Sequence, residues 1–219
     1  MVIDIYHDLR EPHRKGRAMI SKGAFLGNGG WPEEAILQIR KGLALVDWER
    51  EPRLVLAARH NLAWFLNDCG RSEDARQQIA RFRHIYHELP DSWGELQLAW
   101  LNGRIAARQG RVREAEDTLI EVRQQLLDEG HGYDASLVTL DIAKLYLQQG
   151  RSAEVRELAA GMLDVFLSQD VHRQAAAALA VFQQAAELDS ATPVLLEEIT
   201  AYLQRARRNP RLRFEQTAA

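Results

Sequence analysis

Four glycines recur in this sequence at a constant interval of 40 residues: Gly30, Gly70, Gly110 and Gly150. Each is followed five positions later by a small or apolar residue, namely Ala35, Ala75, Ala115 and Val155. A fixed period of this length is the signature of a protein whose units all share one supersecondary structure. Such units stack in a row because each one alone cannot bury its apolar face. This feature therefore predicts a repeat protein.

Apolar residues continue after each glycine in steps of four, three and four, which keep to one face of an α-helix. In the second unit these positions are Ala75, Ile79, Phe82 and Tyr86. The same ladder reappears near the end of the chain, where Ser190 replaces the glycine, at Leu195, Ile199, Tyr202 and Ala206. The sequence thus predicts five units, each with a helix after its turn.

A second helix is predicted before each turn. One column of small residues there would let two helix backbones approach closely: Gly23, Ala63, Gly103 and Ala143. A column of apolar residues lies two places on: Phe25, Phe65, Ile105, Leu145 and Ala185. The glycines supply the left-handed backbone that ends the first helix. Ser72 and Ser152 are predicted N-caps of the following helices, whereas Pro32 and Pro193 fit a first helical position.

These residues resemble the tetratricopeptide repeat (TPR) family, whose units carry a small residue, a turn glycine and an alanine five positions later. The resemblance covers roughly residues 13 to 207. The period of 40 exceeds the usual period of about 34, as it does in long-helix members such as those of kinesin light chains. The family's early tryptophan and closing proline are not repeated. The resemblance implies an all-α fold, a right-handed superhelical solenoid of about five helix-turn-helix hairpins.

The predicted organisation is one repeat domain over residues 1–207, followed by a basic tail over residues 208–219. The predicted repeats span about 13–50, 52–90, 91–130, 132–169 and 171–207. Segments around 89–91, 129–132 and 168–170 are predicted connections between repeats. Residues 1–8 fit the register of a second helix, so we expect them to be the remnant of a preceding unit.

Composition narrows the class of function. A net charge of -3 argues against a strongly basic nucleic-acid binder. The single cysteine, Cys69, excludes an intrachain disulfide and favours a reducing, cytoplasmic compartment. No apolar stretch is long enough for a membrane span. The sequence contains no phosphate-binding glycine loop, nucleophile elbow or zinc-ligand set, so we predict neither enzymatic activity, nor a cofactor, nor a metal site.

The resemblance implies that the first helices line a concave groove. Its inward positions fall on two columns, Ile20, His60, Trp100 and Leu140, then Ala24, Trp64, Arg104 and Lys144. The predicted partner-binding residues are His60, Asn61, Trp64, Trp100, Arg104, Arg108, Asp141 and Lys144. Tryptophan and arginine are typical of binding hot spots. The alternative is that both tryptophans pack between hairpins and the cations are merely solvated.

The predicted function is a non-enzymatic scaffold that binds a protein or peptide in this groove, with self-association left open. One alternative is a ligand-sensing regulatory module. Another is a nucleic-acid accessory protein that uses the C-terminal arginines: Arg205, Arg207, Arg208, Arg211 and Arg213. His84, His87 and Glu88 have a spacing that a metal would accept, but no further ligand is near in sequence.

Overall fold

The computed structural model describes residues 2–89, 92–168, 173–207, 209 and 212–214, with only the backbone described at 87, 163–168, 173 and 174. Within these ranges the chain forms eleven helices and no strand. They are α1 (Val2–Asp8), α2 (Pro12–Asn28), α3 (Pro32–Leu43), α4 (Pro52–Asp68), α5 (Ser72–Glu88), α6 (Ser92–Arg108), α7 (Val112–Asp128), α8 (Gly132–Gln148), α9 (Ser152–Ser168), α10 (Arg173–Glu187) and α11 (Pro193–Ala206). The all-α prediction is confirmed.

The helices divide into two compact units, residues 1–109 and 110–219. In unit 1, α2 packs against α3 and α4 against α5, and α4 also contacts α2 and α6. In unit 2, α8 packs against α7, α9 and α11, while α10 contacts α9 and α11. The recurring motif is thus a helical hairpin.

The turn glycines adopt the left-handed conformation that the sequence predicts. The φ angles are +96° at Gly30, +76° at Gly70, +73° at Gly110 and +71° at Gly150. In the last hairpin, where Ser190 stands in place of the turn glycine, the residue with positive φ is Asp189, at +53°. The amide of Ser190 donates to the Ala185 carbonyl at 2.8 Å. The left-handed residue of this turn therefore lies one position before residue 190, which is 40 residues after Gly150.

The column of small residues lies where backbones meet, as predicted. Gly23, Ala63, Gly103 and Ala143 are all buried. A Cβ atom added at Gly23 would lie 2.6 Å from Ile39 Cγ1 and 3.0 Å from the Ala35 carbonyl oxygen. Helices α2 and α3 therefore approach closely only because this position has no side chain.

The apolar column was wrong at its first member. Phe65, Ile105 and Leu145 are buried, but Phe25 is 67% exposed. The ring of Phe65 packs on the backbone of Gly27 in the preceding hairpin, where an added Cβ atom would overlap the ring. Among the described helices only the seven-residue α1 precedes α2, so no equivalent helix covers Phe25.

The N-cap predictions had mixed outcomes. Pro32 and Pro193 do occupy the first turns of α3 and α11, and the Thr192 hydroxyl accepts a hydrogen bond from the Leu195 amide. Ser72 and Ser152 are not caps, because α5 and α9 already begin at these residues. The predicted connections at Pro90, Asp91, Gln169 and Asp170 lie outside the described residues.

Candidate functional site

Ring side chains from α4, α5 and α6 cluster in unit 1: His60, Trp64, Tyr86 and Trp100. His60 and Trp64 lie one turn apart on α4, and their ring centroids are 6.0 Å apart. Trp100 of α6 meets Trp64 edge-on, with centroids 5.0 Å apart and planes at 90°. This confirms that the two tryptophans meet. Trp100 is only 6% exposed, so it belongs to the core and supports the half-buried Trp64 from behind.

Arg104 is not the solvated cation that the sequence suggested. Its guanidinium lies 4.6 Å above the Trp64 ring and its Nη2 is 3.1 Å from Asp68 Oδ1. The side chain is 14% exposed. Stacking on an aromatic face and pairing with a carboxylate both use the planar guanidinium. Arg104 therefore joins α6 to α4.

His60 is held by a neutral hydrogen bond. Its Nδ1 lies 2.9 Å from the hydroxyl of Tyr86 on α5. Burial lowers the pKa of His60 to about 4 and raises the pKa of Tyr86 to about 12. Both groups are consequently uncharged near neutral pH. The other ring nitrogen of His60 has no hydrogen-bond partner among the described residues, so it is available to a ligand.

A pocket of about 120 Å³ adjoins His60, between α4, α5 and α6. Its lining is Arg53, Leu56, Ala57, His60, Tyr86, Leu89, Gly94 and Gln97. Arg53 and Gln97 make no hydrogen bond or ion pair with any described residue. A largely apolar cavity is thus bordered by the polar groups of Arg53, His60 and Gln97. Each of these groups has a hydrogen-bonding position that no described residue fills.

Sequence reasoning missed Arg53 and Gln97, although a signal existed. Arg53 precedes His60 by seven residues and Gln97 precedes Trp100 by three, so each shares a helix face with a predicted site residue. The predicted inward positions lie in the halves of α4 and α6 that lead to the turn glycines. The pocket lies at the opposite ends of the same helices.

The remaining predicted residues are less closely associated. Asn61 on α4 is half-buried and Arg108, the last residue of α6, is exposed. Asn67, near the end of α4, is fully buried and accepts a hydrogen bond from the Ser72 hydroxyl at 2.8 Å. The structure therefore gathers His60, Trp64, Trp100 and Arg104 into one cluster.

Asp141 and Lys144 lie in unit 2, on α8. The ammonium of Lys144 already contacts the carboxylate of Glu197 on α11. Lys144, a predicted partner-binding residue, is therefore already paired within the chain.

Metal ligation, the reactivity of the Cys69 thiol and membrane crossing can each be assessed on the described residues. No three His, Cys, Asp or Glu residues come together there as metal ligands, and the side chain of His87 lies outside that set. Burial, together with Glu33 and Asp68, raises the pKa of the Cys69 thiol. A raised pKa makes the nucleophilic thiolate scarcer. None of the described helices combines the length and apolar character that a membrane crossing requires.

Helical hairpins, left-handed turn glycines and a column of small residues define a TPR-like repeat fold. No family model matches the sequence, and no curated protein is significantly similar to it. Among solved structures, the chain is similar to one from Podosopora anserina described as a putative kinesin light chain with nearly identical TPR-like repeats. Identity is 18%, the TM-score is 0.56, and the alignment covers 90% of this chain and 98% of that one.

A single-residue variant of that protein matches in the same way, with 20% identity, a TM-score of 0.56, and coverage of 90% of this chain and 97% of the other. At such identities the likeness concerns the fold alone. It confirms the TPR-like fold that the glycine period predicts.

Proposed function

We propose that this protein is a non-enzymatic, cytoplasmic interaction module that binds a segment of a partner protein on unit 1. The segment lies over α4 and α6, and one of its acidic side chains enters the pocket beside His60. The observation that carries this proposal is the unused bonding capacity of Arg53, His60 and Gln97 around one cavity. TPR-like folds generally present such surfaces to proteins.

The size of the pocket favours a side chain over a free metabolite. The pocket has a volume of about 120 Å³. Pockets for drug-sized ligands and cofactors are usually several times larger, on the order of 300–1,000 Å³. The cavity therefore suits one anchoring side chain of a longer segment that gains the rest of its affinity outside the pocket.

The chemistry of the lining favours a carboxylate. Arg53 supplies a positive charge that no described carboxylate neutralises. The Gln97 amide offers a hydrogen-bond donor without adding repulsion, and the neutral His60 ring offers a second in the tautomer whose Nδ1 accepts from the Tyr86 hydroxyl. Leu56 and Leu89 would cover the methylene groups of a glutamate. A charge-assisted hydrogen bond to arginine is stronger than a neutral one, so Arg53 provides most of the selectivity.

The test uses affinity capture from the source cell with the full chain, an Arg53→Glu variant and a control. Arg81→Glu changes the same charge at an exposed site on α5 that does not line the pocket. We expect a partner that is retained by wild type and by Arg81→Glu, and whose Kd for the pocket variant rises about tenfold or more. A partner that binds all three proteins equally well would show that the pocket is not the recognition site.

A further inference from the structure

Helix α11 packs against α8 in unit 2 as well as against α10, its partner in the hairpin. Helix α10 is its neighbour in sequence, whereas α8 lies three helices earlier in the chain. Helix α11 buries one continuous apolar face, made of Leu195, Leu196, Ile199, Tyr202, Leu203 and Ala206. The predicted groove residue Leu140 of α8 is likewise buried. The wall on which a partner was expected in unit 2 is therefore already covered.

Two ion pairs fix the register of these helices. Glu197, in the first turns of α11, contacts Lys144 near the end of α8. Arg207, just after α11, forms a bidentate pair with Asp134 at the start of α8, at 2.6 and 2.9 Å. The two charged residues of α8 are ten residues apart, and so are the two that they meet on α11, which corresponds to about 15 Å along a helix. The order of the charged residues that pair is reversed between the two helices. The helices therefore run antiparallel with charges matched at both ends.

The ion pair at Asp134 has the more buried carboxylate of the two. Asp134 is only 5% exposed at its side chain, so its charge requires a partner. The Arg207 guanidinium also lies 5.5 Å from the Tyr133 ring, and the Tyr133 hydroxyl donates to the Leu203 carbonyl. A cation at this point of a docked helix is thus specifically recognised. Arg207, one of the C-terminal arginines, thus has a defined role in docking α11.

We propose that this face of α8 is a binding site for an amphipathic helix, and that α11 is its intramolecular occupant. A partner helix would carry an acidic residue that meets Lys144 and, ten residues later, an arginine that meets Asp134. Its apolar face would repeat the spacing of Leu196, Ile199 and Leu203. Such a partner competes with α11, so the site is closed until the terminal helix is displaced.

The terminal position of α11 makes displacement feasible. The helix is joined to α10 through residues 188–192, and Leu188 and Asp189 in this link are exposed. Its release requires no other described helix to unthread. This site is separate from the pocket on unit 1, so the two proposals stand independently.

The experiment measures binding of a fluorescently labelled synthetic peptide, residues 190–214, to the full chain by anisotropy. In the double variant Glu197→Lys/Arg207→Glu, like charges at both ends repel the intramolecular helix while α8 is unchanged. The control Glu198→Lys/Arg205→Glu makes the same charge changes on α11 at positions that form no hydrogen bond or ion pair with the described residues of α8. We expect the peptide to bind the double variant about tenfold or more tightly than wild type or the control.

A second peptide with the two reversed charges should not bind the double variant, which distinguishes the register from general stickiness. If circular dichroism shows the double variant to be unfolded, the milder Glu197→Ala is used, for which we expect about a threefold increase in affinity. Equal binding of the wild-type peptide to the folded variant, the control and wild type would overturn the proposal. So would equal binding of the two peptides.

Discussion

His60 is uncharged in the folded chain at neutral pH, because burial lowers the pKa of its imidazole to about 4 from 6.5. The unfolded chain binds this proton more readily, so stability is greatest above pH 6.5 and falls as the pH drops toward 4. The hydrogen bond to Tyr86 holds the neutral ring at the mouth of the pocket. At the scale of one residue, the site and the stability of unit 1 thus depend on the same protonation state.

The variant His60→Gln removes this titration. Between about pH 7.5 and 4.5 we expect wild type to lose on the order of 2 kcal/mol more unfolding free energy than the variant, as the shift in pKa implies. Urea denaturation at several pH values measures it. The control is His84→Gln, which makes the same substitution at an exposed histidine of α5. Parallel pH profiles for wild type and His60→Gln would contradict the prediction.

Arg104 allows a second test at this scale. Arg104→Glu places a carboxylate beside Asp68 and over the electron-rich face of Trp64. We expect a loss of about 2 kcal/mol or more in unfolding free energy, since a partly buried ion pair becomes a repulsion. Arg108→Glu, one turn on and exposed, should cost less than about 0.5 kcal/mol. Equal melting temperatures for the two variants would show Arg104 to be solvated after all.

At the scale of helices, the close approach of α2 and α3 depends on Gly23. Gly23→Ala would force a methyl group against Ile39 and against the backbone oxygen of Ala35. We expect a destabilisation of about 1–3 kcal/mol, typical of overpacking. Gly161→Ala in α9 is the matched control, because its Cβ would meet no described atom within 4 Å.

In that open position, alanine should be neutral or stabilise the helix by up to about 1 kcal/mol. The comparison therefore separates helix propensity, which favours alanine at both positions, from packing, which opposes it only at Gly23. Chemical denaturation of both variants provides the measurement. A Gly23→Ala variant as stable as Gly161→Ala would mean that the hairpin relaxes at no cost.

At the scale of the whole molecule, α11 closes unit 2. Deletion of residues 190–219 would uncover the apolar surfaces of α8 and α10 that α11 contacts, and would leave Asp134 without Arg207. Large exposed apolar patches promote association. We expect the shortened protein to aggregate, with light scattering rising as it is concentrated. A monomeric deletion variant with a cooperative thermal transition would show that α11 is not needed as a cover.

Part of the candidate site was predictable and part was not. The meeting of Trp64 and Trp100 followed from their register, because the two inward columns lie one turn apart and residues of adjacent first helices can meet diagonally between them. The partner of Arg104 did not follow, since Asp68 carries no periodic signal. The pocket residues Arg53 and Gln97 required knowledge of which helix ends enclose a cavity.

The sequence alone determined the hairpin, its period and the residues that end each first helix. These features are local: backbone conformation at Gly70 or small size at Ala63 acts within one hairpin and recurs in each. Only the tertiary structure decided that Phe25 is exposed and that α11 pairs with α8. A repeated pattern specifies what every unit has in common, whereas exposure and ion pairing in any one unit depend on the helices that pack against it.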